Sequence, residues 1–413
     1  MQPAPDPLDH IATLDLRGNG HAPPPEPGLA RKSSRFSRVP SAGMSIEQLR
    51  RNYELILNTR AIYYPVSYQI LCEIGSGRQG TVLFALRHGA RGCITEHAVK
   101  LFDPGLYRNV EEYWTDMGRI AYQVGQLQHL QSHNLVLTDS YEETYGIGFV
   151  QMEAIDGMDA GRLMTGETLE IARQGYSAAE WIHSRAIIFR IEDDCVCLQP
   201  GVAIYILREI LRGLERVHAL GFLHADIKPA NVMIDRLGAV KLVDFGRAAM
   251  IGERASFLLG SPLYMAPEIH RREPGTIQSD LYSLGLVALE MLSGRSLGEN
   301  AQTEEELLQI KLDLPNRLAD MFPWHLRVNG AFMQILHKLL DPDPSRRYAT
   351  AAEADAGEDG LKIISKQLVQ ADLDTEYARE LSQFLARFAG VDDARVGEYL
   401  PKLLLRPSFR TGP

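Results

Sequence analysis

The sequence predicts an α+β fold of two lobes, a small β-rich lobe followed by a large helical one. Three observations predict it. The glycine-rich stretch Gly75-Ser76-Gly77-Arg78-Gln79-Gly80 has short apolar runs on both sides, the pattern of a hairpin. A further apolar run, Ala98-Val99-Lys100-Leu101-Phe102, follows soon after. Beyond Gly157 the pattern turns to long helical stretches, Val202–His218 and Asp280–Leu292 among them.

The bulk numbers agree with a globular chain. It has 413 residues, 45% apolar and 23% charged, enough for two or three packed units with a sizeable core. The net charge of −10 gives no bulk electrostatic reason to bind nucleic acid. Four cysteines do not make a disulfide framework, and Cys195-Val196-Cys197, with no second pair nearby, reads as loop or strand cysteines. No run reaches the roughly 18 apolar residues that span a bilayer. The start, Met1-Gln2-Pro3-Ala4-Pro5-Asp6, has no basic and apolar leader pattern. A soluble, cytoplasmic setting is expected.

In chain order, residues 1–44 are rich in Pro, Gly and small polar residues and read as a disordered tail. Its basic patch, Arg31-Lys32-Ser33-Ser34-Arg35-Phe36-Ser37-Arg38, is a solvated tail segment or a site for phosphorylation or docking. Residues 45–156 hold a leading helix and the first lobe. Ser45-Ile46-Glu47-Gln48 has capping-box spacing, and Ile46, Leu49, Tyr53 and Ile56 recur at helical intervals, which predicts a helix over about 46–58. A strand is expected over 66–71 and another over 83–86. A helix over about 107–131 follows from the stripe Val110, Tyr113, Met117, Ile120, Val124, Leu127 and Leu130. Short strands start at Val136 and Phe149, and the lobes divide in Met152–Gly157. Residues 157–357 form the second lobe, with an expected insertion at about 165–200. Helices are expected over 202–218, 280–292, 304–312 and 331–340, with a loop over 247–265. Residues 358–413 read as a helical extension.

Between these elements lies the chemistry. Leu223-His224-Ala225-Asp226-Ile227-Lys228-Pro229-Ala230-Asn231 places an acid, a cation and an amide in one short polar loop braced by apolar Val232-Met233-Ile234. A second acid follows in Val243-Asp244-Phe245-Gly246. Two acids and an Asn in this order can hold Mg²⁺ and accept a proton from a hydroxyl. The Gly-x-Gly-x-x-Gly stretch alone is a weak signal. A dinucleotide site needs a helix after the third glycine, whereas Leu83-Phe84-Ala85-Leu86 is strand-like. Lys100 has apolar neighbours on both sides, which favours a buried functional amine over a surface lysine.

Together these motifs, in this order, resemble the eukaryotic-type Ser/Thr protein kinase family over about Val66 to Thr350. The resemblance implies a two-lobe kinase fold, ATP and Mg²⁺ as cofactors and a protein substrate with a Ser or Thr acceptor. It implies that Gly75, Gly77 and Gly80 cover the ATP phosphates and that Val82, Ala98 and Met233 enclose the adenine. Lys100 would hold the α- and β-phosphates. Met152 would be the gatekeeper, with Glu153 and Ile155 at the hinge. Asp226 would accept the hydroxyl proton, Lys228 would neutralise the γ-phosphate, and Asn231 and Asp244 would hold Mg²⁺. Lys228 looks like the serine/threonine class. Ser261–Glu268 looks like the segment that seats the acceptor, Glu268 would pair with Arg347, and Asp280 would brace the catalytic loop.

Two departures stand out. Ala225 replaces the Arg that usually precedes the catalytic Asp and receives the activation-loop phosphate, so activity is expected not to depend on phosphate at Ser256. The position whose Glu usually pairs with the lysine falls at Gln123 or a neighbour, and no Asp or Glu occurs between Asp116 and Asp139. Gln123 is expected to accept a hydrogen bond from Lys100 in place of the ion pair, so Gln123→Glu should raise turnover or leave it unchanged. The two rivals are a pseudokinase scaffold working through the tail at 361–413 and a kinase for a small molecule. The first would show no Asp226-dependent turnover. The second is disfavoured by Ser261–Glu268.

Overall fold

A computed structural model describes residues 44–62, 67–130, 132–192, 195–253, 261–298, 300–370 and 376–386. The expected tail with its basic patch, Ser256, Gly260 and the end of the extension lie outside the described residues.

The first lobe is a curled sheet backed by two helices. In helix α1 (Ile46–Thr59) the Ser45 side chain accepts the Gln48 amide, and Leu49, Tyr53 and Ile56 bury one face. Strands β1 (Ala61–Ile62), β2 (Tyr68–Gly77), β3 (Gly80–His88) and β4 (Ile94–Phe102) lead to helix α2 (Val110–Leu127). Strands β5 (Thr138–Thr144) and β6 (Ile147–Glu153) complete a six-stranded antiparallel sheet in the order β1-β2-β3-β4-β6-β5. Strand β2 runs past the expected 66–71 and through the glycines, because backbone pairing needs no side chain. Gly75 pairs with Val82 and Gly77 with Gly80, after bulges at Ile70/Cys72 and Glu73/Gly75. Gly80 sits at φ +147°, where a Cβ would lie 1.8 Å from the Leu101 carbonyl oxygen, so only glycine fits. Helix α2 starts where Asn109 Oδ1 accepts the Glu112 amide, and Gln123 is buried within its apolar stripe of Tyr113, Met117, Ile120, Val124 and Leu127.

The second lobe begins with β7 (Gly157–Asp159), α3 (Ala160–Leu163), α4 (Gly166–Gln174), α5 (Ala178–Ile188) and the hairpin β8 (Phe189–Glu192) and β9 (Cys195–Leu198). Helix α6 (Pro200–Ala219) opens on Pro200 and stops before Gly221 at φ +81°, whose amide bonds the His218 carbonyl. Short strands β10 (Phe222–Leu223), β11 (Val232–Asp235), β12 (Val240–Leu242) and β13 (Ala249–Met250) carry the polar loops. Strand β11 pairs with both β12 and β7, and β10 pairs with β13. Helices α7 (Pro267–His270), α8 (Ile277–Ser293), α9 (Glu304–Arg317), α10 (Trp324–Arg327), α11 (Gly330–Leu339), α12 (Ala351–Ala356), α13 (Lys362–Gln370) and α14 (Tyr377–Ala386) follow. The core lies between α6, α8 and α11, where Leu207, Leu214, Leu284, Leu289 and Leu339 are fully buried. Each such side chain contributes roughly 1.5–3 kcal/mol. That core is the fixed base on which the loops after β10 and β12 stand.

The segment at 165–200 and the C-terminal helix pack together. Leu381, Phe384 and Leu385 of α14 are buried, with the Phe384 ring 4.9 Å from that of Phe189. Ser382 Oγ donates to the Arg236 carbonyl at 2.6 Å. Among the described residues no helix is long and apolar enough to cross a membrane.

Candidate active site

The polar loop after β10 is held from below by one buried carboxylate. Asp280, in the first turn of α8, is 2% exposed. Its Oδ2 accepts His218 Nε2 and the His224 amide, both at 2.9 Å, and its Oδ1 accepts the Ala225 amide at 2.9 Å. Burial opposes its ionisation, but the His218 bond and charge and the Ala225 amide hold its pKa below the ordinary value. Those bonds keep Ala225 at φ +60°, a left-handed conformation that costs a non-glycine residue about 1 kcal/mol. His224 Nε2 donates to the Val243 carbonyl at 3.0 Å, its Nδ1 accepts the Asp226 amide at 3.3 Å, and its ring stands edge-on to Phe245 at 4.8 Å. One imidazole thus ties together the two acid-bearing loops.

Asp226 is buried, and two neighbours aim it. Its Oδ2 accepts Lys228 Nζ at 2.8 Å and Asn231 Nδ2 at 3.0 Å, and Asn231 Nδ2 also donates to the Asp226 carbonyl at 2.7 Å. The amide nitrogen of Asn231 is therefore committed, which leaves its carbonyl oxygen as the atom able to face a cation. Arg247 Nε stands 3.8 Å from the same Asp226 oxygen, and burial lowers the guanidinium pKa.

From the first lobe, Lys100 reaches down out of β4 and is 4% exposed. Its Nζ donates to Asp244 Oδ1 at 2.5 Å and to Gln79 Oε1 at 3.1 Å. Burial opposes ionisation of Asp244, but Lys100, by charge and hydrogen bond, and the Gly246 amide bring its pKa down to about 2. A Cβ on Gly246 would come within 2.7 Å of Gln79 Oε1 and 3.0 Å of Lys100 Nζ, so that glycine makes room for the pair.

Gln123 does not bond Lys100, contrary to the expectation. Its Nε2 donates to the Ala248 carbonyl, and its buried Oε1 has no hydrogen-bond partner among the described residues. Gln123 and Lys100 line the same cleft, but the expected bond between them is absent. An amide carries its own donor, and the loop after Asp244 offers a carbonyl to it. Arg119, one turn earlier on the same face, donates to Ala248 O at 2.8 Å and Gly246 O at 3.2 Å. Helix α2 therefore grips the backbone of the second loop and leaves Lys100 to Asp244 and Gln79.

Of the remaining expected residues, Met152 lines a cleft with Lys100, Gln123, Val150, Asp244 and Phe245, while Val82, Ala98, Glu153, Ile155 and Met233 stand outside its lining. Val82 lies opposite Lys100 in the sheet, and Ala98 lies opposite Met152. Ile155 packs against the first-lobe core, and Met233 is half-buried on β11 opposite Asp159 and Lys241. The Glu153 carboxylate turns to Lys241 Nζ, with both oxygens at 2.7 Å, and to the Leu137 amide, and its own amide donates to the Leu137 carbonyl at 2.9 Å, so the side chain is committed within the fold.

Beyond the loops, Glu268 and Arg347 form a bidentate pair at 2.7 and 2.9 Å, both nearly fully buried. Ser279 Oγ adds a third bond to Glu268 Oε1 at 2.8 Å, and Arg347 also donates to the Gln278 and Asp341 carbonyls. Sequence reasoning missed Gln79, Arg119 and Arg247. The signals were present: Gln79 lies between two glycines of the glycine-rich hairpin, Arg119 precedes Gln123 by one turn, and Arg247 directly follows Asp244-Phe245-Gly246.

Residues 68–356 match the protein kinase domain. The chain is similar to the serine/threonine-protein kinase ste20 of Aspergillus fumigatus, at 28% identity over 283 residues, covering 68% of this chain and 29% of that protein. It is similar to the serine/threonine-protein kinase PrkC of Bacillus subtilis, at 29% identity over 299 residues, covering 70% of this chain and 39% of that protein. A third relative, the serine/threonine-protein kinase sid1 of Schizosaccharomyces pombe, is 28% identical over 293 residues, covering 69% of this chain and 53% of that protein. The chain thus spans between about a third and a half of the length of these relatives. With the domain matched over most of its length and the two acid-bearing loops joined beneath Lys100, the chain belongs to the protein kinase family.

Proposed function

We propose that this chain is an ATP- and Mg²⁺-dependent protein kinase that phosphorylates serine or threonine hydroxyls of protein substrates in the cytoplasm. The observation that carries the reading is Asp226 with Lys228 and Asn231 both bonded to its Oδ2. A general base must be aimed and must sit beside a cation that meets the charge being transferred, and this cluster does both.

The residues present fit the cofactors. Asp244, held ionised by Lys100, and the uncommitted carbonyl oxygen of Asn231 are hard oxygen donors of the kind Mg²⁺ takes. The Gly75–Gly80 hairpin bears no side chain at its glycines, so its backbone can approach phosphates closely. When bound, Mg·ATP supplies the γ-phosphoryl group and a cation that screens its charge. The chain's own residues do the rest. Lys100 positions phosphate oxygens. Asp226 orients the acceptor hydroxyl and takes its proton as the new O–P bond forms and the bond to ADP breaks. Lys228 stabilises the charge on the phosphoryl oxygens in transit. Ser261–Glu268, locked through Glu268–Arg347, seats the acceptor chain.

The test is transfer from labelled ATP with Mg²⁺ to casein and to the chain itself, comparing wild type with Asp226→Asn. The variant should lose about 10²–10⁴-fold in turnover. Equal label in both would end the kinase reading and favour a scaffold.

A further inference from the structure

Lys311 is 0% exposed, which is exceptional for a lysine. It lies on the inner face of α9, between Leu307 and Leu314 in the apolar stripe. Its ammonium has three acceptors: Pro262 O at 2.6 Å, Met265 O at 2.7 Å and His270 Nε2 at 3.0 Å. Three donors meet three acceptors, the complete set for a protonated amine. His270 Nε2 must then be the lone-pair nitrogen, so Nδ1 carries the proton and donates to Glu304 Oε1 at 3.1 Å. Arg272 Nη2 supports the other Glu304 oxygen at 3.2 Å. Glu304, two turns before Lys311 on the same helix, thus sets the polarity of the chain Glu304–His270–Lys311.

This cluster ends on a backbone that matters. Pro262 and Met265 bracket the turn before Ala266-Pro267-Glu268. Ser283 Oγ holds the Tyr264 carbonyl at 2.7 Å, and Tyr264 Oη donates to Glu290 at 2.5 Å. Helix α8 therefore fixes the middle of the turn and Lys311 fixes its two ends. Burying a cation is costly, and a purely structural contact at this spot could be apolar. Desolvation pulls Lys311 down to about 7, with Glu304 pulling the other way, and it lowers His270 too, Lys311 adding to that effect.

We propose that Lys311 is a positioning residue for the acceptor substrate: its ammonium sets the 262–265 ledge on which the acceptor chain rests, and the Glu304–His270 pair keeps it aimed. The inference rests on the kinase reading of that segment. Protonating His270, whose pKa burial holds below the ordinary value, removes the Nε2 acceptor and sets two cations against each other, so the clasp opens on the acid side. Above about pH 7 Lys311 loses its proton and one of its three donors, so the clasp also loosens on the alkaline side. The other ionisable groups on the packed elements have their own partners, Glu268 with Arg347, Arg272 with Glu304 and Glu290 with Tyr264.

The experiment uses the full chain with casein as acceptor and separates the constants for casein and ATP. Lys311→Met should raise KM for casein about tenfold, the worth of one charge-assisted hydrogen bond, while kcat and KM for ATP stay within about twofold. His270→Gln keeps an acceptor for Lys311 and a donor for Glu304 but does not titrate. It should match wild type at about pH 6.5, where Lys311 is protonated, and stay flat toward about pH 5.5, where the wild-type KM for casein rises. His270→Leu, which removes the acceptor without touching the lysine, should reproduce the Lys311→Met split and serves if that variant does not fold. Backbone hydrogen exchange over 261–266 should quicken in Lys311→Met and His270→Leu while α8 is unchanged, a readout independent of transfer. Unaltered KM for casein with unaltered exchange overturns the proposal, as does an equal rise in KM for ATP. Failure of the kinase reading shows separately, as wild type no more active than Asp226→Asn.

Discussion

The two lobes hold their ends of the site by different means. In the second lobe, Asp280 and Glu268 are buried carboxylates with donors on both oxygens. In the first lobe, helix α2 meets the site with Arg119 and with the neutral amide of Gln123, one of whose two polar atoms is buried without a partner among the described residues. A fully answered buried charge fixes geometry before any ligand arrives, while a half-answered amide leaves room for adjustment. The contrast sets a rigid second lobe, which carries Asp226, against a looser first one, which carries Lys100. Lys100 shows the same looseness, because its partners are Asp244 on the other lobe and Gln79 on the glycine hairpin.

Breaking the rigid side should cost most. Arg347→Met leaves Glu268 buried and unpaired and should lower unfolding free energy by about 3–5 kcal/mol, measured by urea titration. A loss below about 1 kcal/mol would mean the pair does not lock the second lobe. The looser side should yield less. Gln123→Glu replaces the donor to Ala248 O with an acceptor, so about 1–3 kcal/mol is lost and turnover drops about tenfold. That reverses the expectation drawn from the sequence, and a rise in turnover would show that the introduced carboxylate swings to Lys100 instead. Gln79→Ala removes only a neutral partner of Lys100. It should raise KM for ATP about fivefold with kcat nearly unchanged, the effect of a bond worth about 1 kcal/mol. If KM for ATP instead falls, Gln79 competes with the phosphates for Lys100.

What was legible in the sequence follows the same division. The strands around Gly75–Gly80, helix α2 and helix α8 could be read because apolar spacing and glycine are local signals. The pairing of Glu268 with Arg347 was legible only through the family, since the two are far apart in sequence. Gln123 shows the limit. Its position could be counted from the motifs, but its partner depended on which way a carbonyl of the loop after Asp244 points. Gln79, Arg119 and Arg247 escaped for that same reason, since each acts on atoms brought near by the fold. Residues 165–200 resisted assignment because α5 packs on α14 and strand β9 on α8, whose residues come much later in the chain.

The smallest expected effect concerns control. An arginine before the catalytic acid would offer a fixed cation to a phosphate on the loop beyond Glu253. Here Ala225 stands there, its amide bound by Asp280 and its side chain a methyl group. The cations beside Asp226 come instead from Lys228, whose Nζ lies 2.8 Å from the Asp226 carboxylate, and from Arg247, whose Nε lies 3.8 Å from it. Because Lys228 and Arg247 are both part of the folded site, Asp226 has neighbouring positive charge whether or not the loop is phosphorylated. Ser256→Ala and Ser256→Asp should therefore both keep turnover within about twofold of wild type, less than the roughly tenfold that one charge-assisted bond is worth. Steady-state transfer to casein measures this, after phosphatase treatment of the wild type. A loss of tenfold or more in Ser256→Ala would mean that another cation of the chain receives a phosphate at that position, and that the rigid lobe is completed by modification.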